Sequence, residues 1–130
     1  MSESIRSYQD LLVWKKGMLL IDEIDRIVDQ FDSYRRWWIG LQMHRAVLSI
    51  TSNIAEGHDS DYTRVYLRNL SDAKGSAREV ESDILVIRRR KYLPQSETDV
   101  ALGLIDEIGR MLRSLSYEVR ASTRTSKGDR

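Results

Sequence analysis

Apolar residues recur along this chain at alternating intervals of four and three residues, the spacing of one face of an α-helix. The strictest run lies near the N-terminus and consists of Val13, Gly17, Leu20, Ile24, Ile27 and Phe31. The same spacing returns around residues 39–57, 66–87 and 101–119. A chain with four apolar helix faces buries them by packing its helices together, so the pattern predicts four amphipathic helices around one core.

The predicted helices cover residues 8–30, 36–56, 61–91 and 97–121, and short polar connections separate them. Connections of about five residues force consecutive helices to run in opposite directions. The predicted fold is therefore all-α, an antiparallel up-down-up-down four-helix bundle that forms a single domain over residues 1–121. The basic remainder, residues 122–130, is predicted to be a disordered tail.

Several kinds of chemistry are excluded by residues that the chain lacks. It has no cysteine, and neither of its two histidines follows a glutamate at the spacing of a di-iron bundle. We therefore expect no metal, no cofactor and no catalytic residues, and we predict that the protein is not an enzyme. The chain also lacks a signal-peptide pattern and an apolar run of membrane-spanning length, which predicts a cytoplasmic protein with no membrane partner.

Positive charge is concentrated in two places, although 21 basic and 20 acidic side chains leave a net charge of only +1. One cluster follows the first helix and the other ends the third, and together they contain Arg35, Arg36, Arg88, Arg89, Arg90 and Lys91. An up-down bundle brings both clusters to the same end. We predict that these six cations bind the phosphate backbone of a nucleic acid, RNA or DNA.

Aromatic residues accompany these cations, and two uses for them are open. Tyr34, Trp37, Trp38 and Tyr92 stand beside the clusters in the sequence and are able to stack on bases. Exposed aromatic residues are equally typical of subunit interfaces. For the run from Arg88 to Lys91, the alternative is a solvated helix end whose cations complement the helix dipole.

Residues 45–57 combine an apolar row with a polar row at helical spacing. The polar row consists of Arg45, Ser49, Asn53 and Glu56, and Gly57 follows it. Because paired rows fix both the partner and the register of a helix, we predict that this segment organises the packing of the bundle. Gly57 is expected to stop the helix.

The third helix contains two further structural positions. Gly75 lies among Ala73, Ser76 and Ala77, and this small-residue patch predicts a close approach by another helix. Glu79 is expected to form an ion pair with Arg110 of the fourth helix.

The second helix is expected to pair with the first in the same manner. The predicted ion pair joins Arg45 to Asp22 or Asp25.

Three segments together resemble one protein family. Asp10-Leu-Leu-Val-Trp, Arg45-Ala-x-x-Ser-Ile-x-x-Asn-Ile-Ala-Glu-Gly and Gly75-Ser-Ala-Arg-Glu-Val-Glu follow one another in the order and spacing typical of the 23S rRNA intervening-sequence protein family. The resemblance extends over residues 8–119 and implies a bacterial four-helix bundle that assembles as a homopentamer. It also implies kinship with the accessory protein of diversity-generating retroelements, a pentameric barrel that binds RNA and partners a reverse transcriptase.

Two functional hypotheses follow. In the first, the protein is an oligomeric scaffold that binds RNA, because a ring of subunits repeats each basic cluster and so gains avidity for a long polyanion. In the second, the protein is an interaction module that assembles partners such as a reverse transcriptase without binding nucleic acid itself.

Overall fold

Four long helices account for most of the chain in the computed structural model, which describes residues 5–125. Within that range there is no β-strand, so the all-α prediction is confirmed. The helices have the following bounds: α1, Leu12–Asp29; α2, the contiguous stretches Ser33–Arg35, Arg36–Gly40 and Leu41–His58; α3, Thr63–Arg90; and α4, Asp99–Thr125.

The middle stretch of α2, Arg36–Gly40, is π-helical. A π-helical turn holds more residues than an α-helical turn, so it changes the direction in which neighbouring side chains point. Two adjacent tryptophans occupy this turn. Trp37 is exposed, whereas Trp38 is partly buried against the core.

The first helix begins later than predicted because a short 3₁₀ turn, Tyr8–Asp10, precedes it. Ser7 caps that turn: its Oγ accepts a hydrogen bond from the backbone N–H of Gln9 at 2.9 Å. Asp10 Oδ2 accepts from the backbone N–H of Ser7 at 3.2 Å, which completes a capping box. Ser7 and Asp10 therefore cap the 3₁₀ turn, and α1 starts only at Leu12.

The third helix ends in a left-handed residue. Lys91 has φ 58°, and its N–H donates to the carbonyl of Arg88 at 3.1 Å. The N–H of Tyr92 donates to the carbonyl of Ile87 at 3.1 Å, so the helix end is a Schellman-type cap. Pro94 follows and leads into the 3₁₀ turn Gln95–Glu97.

The last helix is longer than predicted. It reaches Thr125, so the first residues of the predicted tail are helical. The remainder of that tail, residues 126–130, lies outside the described residues.

Each long helix packs against two others. α1 contacts α2 and α4, and α3 contacts the same two helices. The largest fully buried side chains come from all four helices: Leu20, Ile24, Ile27, Ile39, Met43, Ile50, Ile54, Leu70, Ile84, Ile87, Ile105 and Ile108. The strict N-terminal row is buried throughout, which confirms the interpretation of the spacing.

Contacts between neighbouring helices follow a regular order. Gln42 of α2 contacts Asp83 of α3, while Ser49, further along α2, contacts Ser76, which lies earlier in α3. The same order holds between α1 and α4: Lys16 pairs with Glu107 at 3.2 Å, and the later Arg26 pairs with the earlier Glu97 at 2.8 Å, in the turn before α4.

The glycines expected at a helix stop and at a close helix contact do not have those roles. Gly57 lies inside α2, and no glycine of the described chain has a positive φ. A Cβ at Gly57 would lie 2.8 Å from Tyr66 Cδ1 and 2.9 Å from Asn69 Cβ, so the close helix contact is here. Gly75 is exposed, and a Cβ there meets no atom of the described chain within 4 Å. Both predictions were wrong: α2 continues through Gly57 to His58, and α3 turns Gly75 away from the other helices.

This contrast predicts opposite effects for one chemical change at two positions. Gly57→Ala should lower the free energy of unfolding by about 1–3 kcal/mol, because the methyl group overpacks the contact between α2 and α3. Gly75→Ala, the matched control, should raise it by up to about 1 kcal/mol through helix propensity alone. Urea denaturation followed by circular dichroism measures both, and equal effects would contradict the packing at Gly57.

Candidate nucleic-acid interface

The two predicted basic clusters meet at one end of the molecule. The guanidinium carbon of Arg35 lies 4.4 Å from the centre of the Tyr92 ring, a cation–π contact. Tyr92 directly follows Lys91, so this contact places the start of α2 beside the end of α3. We call this end the basic pole; its cations are Arg35, Arg36, Arg88, Arg89, Arg90 and Lys91.

Two of the six cations hold the connection between α1 and α2. Arg35 Nη1 lies 3.0 Å from Asp32 Oδ2, and the backbone N–H of Arg35 donates to Asp32 Oδ1 at 2.9 Å. Arg36 Nη2 donates to the carbonyl of Phe31 at 3.2 Å and that of Asp29 at 3.5 Å. Asp29 is the last residue of α1 and Phe31 lies just beyond it, where a cation complements the helix dipole. Both arginines therefore have structural partners.

Arg88 is likewise engaged by the protein. Its Nε donates to Thr98 Oγ1 at 2.8 Å, and its Nη2 donates to the carbonyl of Gln95 at 3.4 Å and to the Asp99 carboxylate. Thr98 Oγ1 also donates to the carbonyl of Gln95 at 2.9 Å. Arg88 thus fastens the connection between α3 and α4.

The other three cations are available. Arg89, Arg90 and Lys91 are exposed, and within residues 5–125 their side chains have no hydrogen bond or ion pair. The predicted site is therefore divided into three residues that build the pole and three that face solvent.

A salt bridge stabilises the pole from the side of α1. Arg26 Nη1 donates to Glu97 Oε1 at 2.8 Å, and Arg26 Nη2 donates to the Glu97 carbonyl at 2.7 Å. The hydrogen bond from Arg26 lowers the pKa of Glu97, and one from Gln30 acts in the same direction. These bonds join α1 to the turn before α4.

The four aromatic residues of the pole form two groups. Trp38 and Tyr92 are partly buried, with edge-to-face ring centroids 6.2 Å apart, and Phe31 packs on Tyr92 at 6.4 Å. Tyr34 and Trp37 are each 68% exposed, and their ring centroids lie 6.4 Å apart at an interplanar angle of 36°. The first group belongs to the interior, and only the second presents ring faces to solvent.

The polar row of α2 lies partly against α3. Ser76 Oγ donates to Ser49 Oγ at 2.8 Å, and Asn53 Nδ2 donates to the same oxygen at 3.1 Å and to the Ser49 carbonyl at 2.9 Å. Arg45 and Glu56, at the edges of the row, are exposed. The row thus contributes a small hydrogen-bonded contact between the two helices.

The ion pair predicted for Arg45 is absent from the described chain. Asp25 Oδ1 lies 2.7 Å from His44 Nε2, which forms an ion pair when the imidazole is protonated. Position 44 faces α1 and position 45 is turned away by the 100° step between successive helical residues.

The pair predicted between Glu79 and Arg110 is also absent from the part of the chain described. Arg110 Nη2 pairs within its own helix with Asp106 Oδ2 at 3.1 Å. Arg78, the residue before Glu79, is the one that approaches α4, where its Nη2 lies 3.3 Å from a Cβ built at Gly109. Glu79 is rotated by about 100° around α3 from Arg78, and its charge raises the pKa of Asp83.

Asp83 is a buried acid that the sequence analysis missed. It is 6% exposed; its Oδ1 accepts a hydrogen bond from Gln42 Nε2 at 2.8 Å, and its buried Oδ2 has no partner in the described chain. Burial raises the pKa of Asp83 to about 6, and the charge of Glu79 adds to this, while the hydrogen bond from Gln42 opposes it. A sequence signal existed, because Asp83 continues the apolar spacing three residues after Val80.

No metal site accompanies these groups. Among residues 5–125, no cluster of three or more histidine, aspartate or glutamate side chains is arranged to hold a metal ion. None of the helices described there is both long and apolar enough to cross a membrane.

These features define a small all-helical protein of four helices with exposed cations at one end. Residues 9–114 match the family model described as 23S rRNA-intervening sequence protein. Because the match extends over most of the chain, the protein belongs to the 23S rRNA-intervening sequence protein family.

A solved structure supports the fold. The chain is similar to a crystal structure of a protein of unknown function from the S23 ribosomal protein family of Bacteroides thetaiotaomicron VPI-5482. The similarity has a TM-score of 0.75 at 20% identity and covers 82% of this chain and 96% of the other. At that identity the likeness shows the fold alone. A comparison with curated proteins gives no match.

The buried acid predicts an unusual dependence of stability on pH. The folded protein binds the Asp83 proton more tightly than the unfolded chain does, so this group lowers the free energy of unfolding as pH rises from about 4 to about 6. Asp83→Asn removes this pH-dependent decrease in the free energy of unfolding. The stability of the variant relative to the native chain should therefore increase by about 1–2 kcal/mol between pH 4 and pH 7.

Urea denaturation of both proteins across this pH range measures the difference. All other ionisable groups are present in both proteins, so their contributions cancel in the comparison. Asp72→Asn, at an exposed position of the same helix, is the control. A difference that does not change with pH would show that Asp83 is not a raised-pKa acid.

Proposed function

We propose that the protein is a non-enzymatic, cytoplasmic, oligomeric scaffold that binds RNA through its basic pole. One observation carries the proposal: Arg89, Arg90 and Lys91 remain exposed and unpaired within the described chain, at the end of the molecule that also exposes Tyr34 and Trp37. Exposed cations without protein partners are the groups that neutralise phosphates and release counterions.

The proposed architecture is an antiparallel up-down-up-down bundle. The order of the contacts supports it, since residues later in α2 contact residues earlier in α3. Gln42 pairs with Asp83, whereas Ser49 pairs with Ser76. In such a bundle the α1–α2 and α3–α4 connections share one end, as the contact of Arg35 with Tyr92 requires. The domain is proposed to end with α4.

The proposed assembly is a homopentameric ring. Its basis is the family resemblance, and exposed apolar side chains support it. Met18 on α1 and Leu41 and Leu48 on α2 are all exposed, although each would be better buried against a partner. A ring of five subunits would present fifteen free cations on one rim, and a long polyanion would bind several subunits at once.

RNA is the ligand proposed in preference to DNA. The family description names an intervening sequence of 23S rRNA, which supports this choice. The proposed mechanism is phosphate neutralisation by Arg89, Arg90 and Lys91 without recognition of particular bases, while Arg35, Arg36 and Arg88 hold these residues in place. Affinity should therefore fall steeply as salt rises.

Replacement of the three free cations tests the RNA-binding proposal. The variant Arg89→Gln/Arg90→Gln/Lys91→Gln should bind a labelled RNA of about 30 nucleotides more weakly at low salt. The slope of log affinity against log salt should decrease in magnitude by about 2 per bound subunit, because three phosphate contacts are lost. Fluorescence anisotropy at several salt concentrations provides the measurement.

A matched control removes the same charge elsewhere. Arg64→Gln/Arg113→Gln/Arg120→Gln changes three exposed arginines outside the basic pole and should leave the slope near that of the native chain. Equal slopes for the two variants would refute binding at the pole. Arg88 is left intact in both variants, because its loss would disturb the α3–α4 connection.

The proposed ring makes a separate prediction. Light scattering at micromolar concentration should give a mass five times that of the 15.2 kDa chain. A monomer would remove the argument from avidity, whereas a dimer would retain self-assembly and exclude the ring.

The alternative function is an interaction module that assembles partners without binding nucleic acid. The exposed apolar residues of α1 and α2 favour it, because such side chains suit a protein partner as well as a second copy. By kinship with the accessory protein of diversity-generating retroelements, the proposed partner is a reverse transcriptase. Absence of RNA binding at low salt would favour this function.

A further inference from the structure

We infer that the basic pole takes single-stranded RNA and holds unpaired bases against the exposed rings of Tyr34 and Trp37. This inference rests on the proposed function and adds the class of RNA and the residues that select it. Cations alone do not distinguish a single strand from a duplex, because both carry phosphates. Ring faces make the distinction, since a ring stacks on a base only where that base is free of its own pairing and stacking.

The first argument is the exposure of these two side chains. Tyr34 and Trp37 each expose 68% of their surface, whereas Trp38 and Tyr92 of the same pole are partly buried in contact with each other. The core therefore uses two of the four aromatic residues and leaves the other two to solvent. Large exposed ring faces at the same end of the molecule as unpaired cations fit a ligand that has both bases and phosphates.

The second argument is the local backbone. Tyr34 lies in the helical stretch Ser33–Arg35, which begins with a hydrogen bond from the backbone of Arg35 to Asp32. Trp37 lies in the π-helical stretch Arg36–Gly40. Both rings thus extend from a regular helical backbone, and little conformational entropy of the main chain is lost when a base stacks on them. π-Helical turns within α-helices occur frequently at functional sites.

The third argument is the mutual arrangement of the rings. Their centroids are 6.4 Å apart and the planes are inclined by 36°, so the two rings are neither stacked nor edge to face. Each ring therefore keeps a face that its partner does not cover. Two adjacent faces suit successive bases of one strand, while Arg89, Arg90 and Lys91 are available to its phosphates.

The test compares one RNA sequence as a single strand and annealed to its complement. Tyr34→Ala/Trp37→Ala should lower the affinity for the single strand by about tenfold or more at every salt concentration. The salt slope should not change, because no phosphate contact is lost. Affinity for the duplex should stay within about twofold of the native value, and Tyr34→Phe/Trp37→Phe should retain most single-strand binding because the ring faces remain.

Two controls separate stacking from other effects. Tyr62→Ala/Tyr117→Ala removes two exposed aromatic rings outside the pole and should leave both affinities unchanged. Light scattering should give the alanine variant the same mass as the native chain.

Three results would overturn the inference. Equal losses for single strand and duplex, or no loss for either, would show that the rings do not select unpaired bases; the proposed function would survive if the cation variant still changed the salt slope. A change of mass in the alanine variant would assign the rings to a subunit interface. Absence of RNA binding by the native chain at low salt would remove the inference together with the proposed function.

Discussion

Burial of four apolar helix faces in one core is the constraint on which the other features depend. Each long helix has one apolar face, and the core receives large aliphatic side chains from all four. Burying such a side chain stabilises the folded chain by about 1.5–3 kcal/mol. Most polar and charged residues consequently lie at helix edges, outer faces and helix ends, and Asp83 is a buried exception. At the helix ends, cationic side chains donate hydrogen bonds to the last carbonyls of a helix, which have no partner within the helix.

The use of the cations at the basic pole follows from that requirement. Arg36 donates to carbonyls at and just beyond the end of α1, and Arg88 donates to the turn and the carboxylate at the start of α4. Arg35 is held between Asp32 and the ring of Tyr92. These side chains fasten two connections of the bundle, so they are poor candidates for direct ligand contact. The solvent-facing cations are Arg89 and Arg90, the last residues of α3, and Lys91, its cap.

The buried polar contact between α2 and α3 carries an energetic cost, because it buries the carboxyl group of Asp83. Asp83 has one satisfied carboxylate oxygen and one that is buried without a partner in the described chain, so burial opposes its ionisation. An aliphatic residue would avoid this cost. The hydrogen bond from Gln42 relieves part of this cost and joins α2 to α3 at one level of the bundle.

The amino-acid sequence by itself determined the all-α class, the number of long helices and the identity of the core residues. These depend on spacing along one helix, and spacing is a local property that tertiary contacts did not override. The cation clusters and their positions at helix ends were also predictable, because Pro94 and the polar connections mark where helices end.

Only the tertiary structure decided which side chains meet. His44 rather than Arg45 reaches Asp25, Gly57 rather than Gly75 makes the close contact, and Asp83 is buried. Each outcome depends on the rotation of one helix about its axis relative to the next, and a step of one residue changes a direction by 100°. Sequence spacing defines the apolar face of a helix to within such a step, so it cannot assign the partners at the edges of that face. Those partners determine which cations and rings remain free.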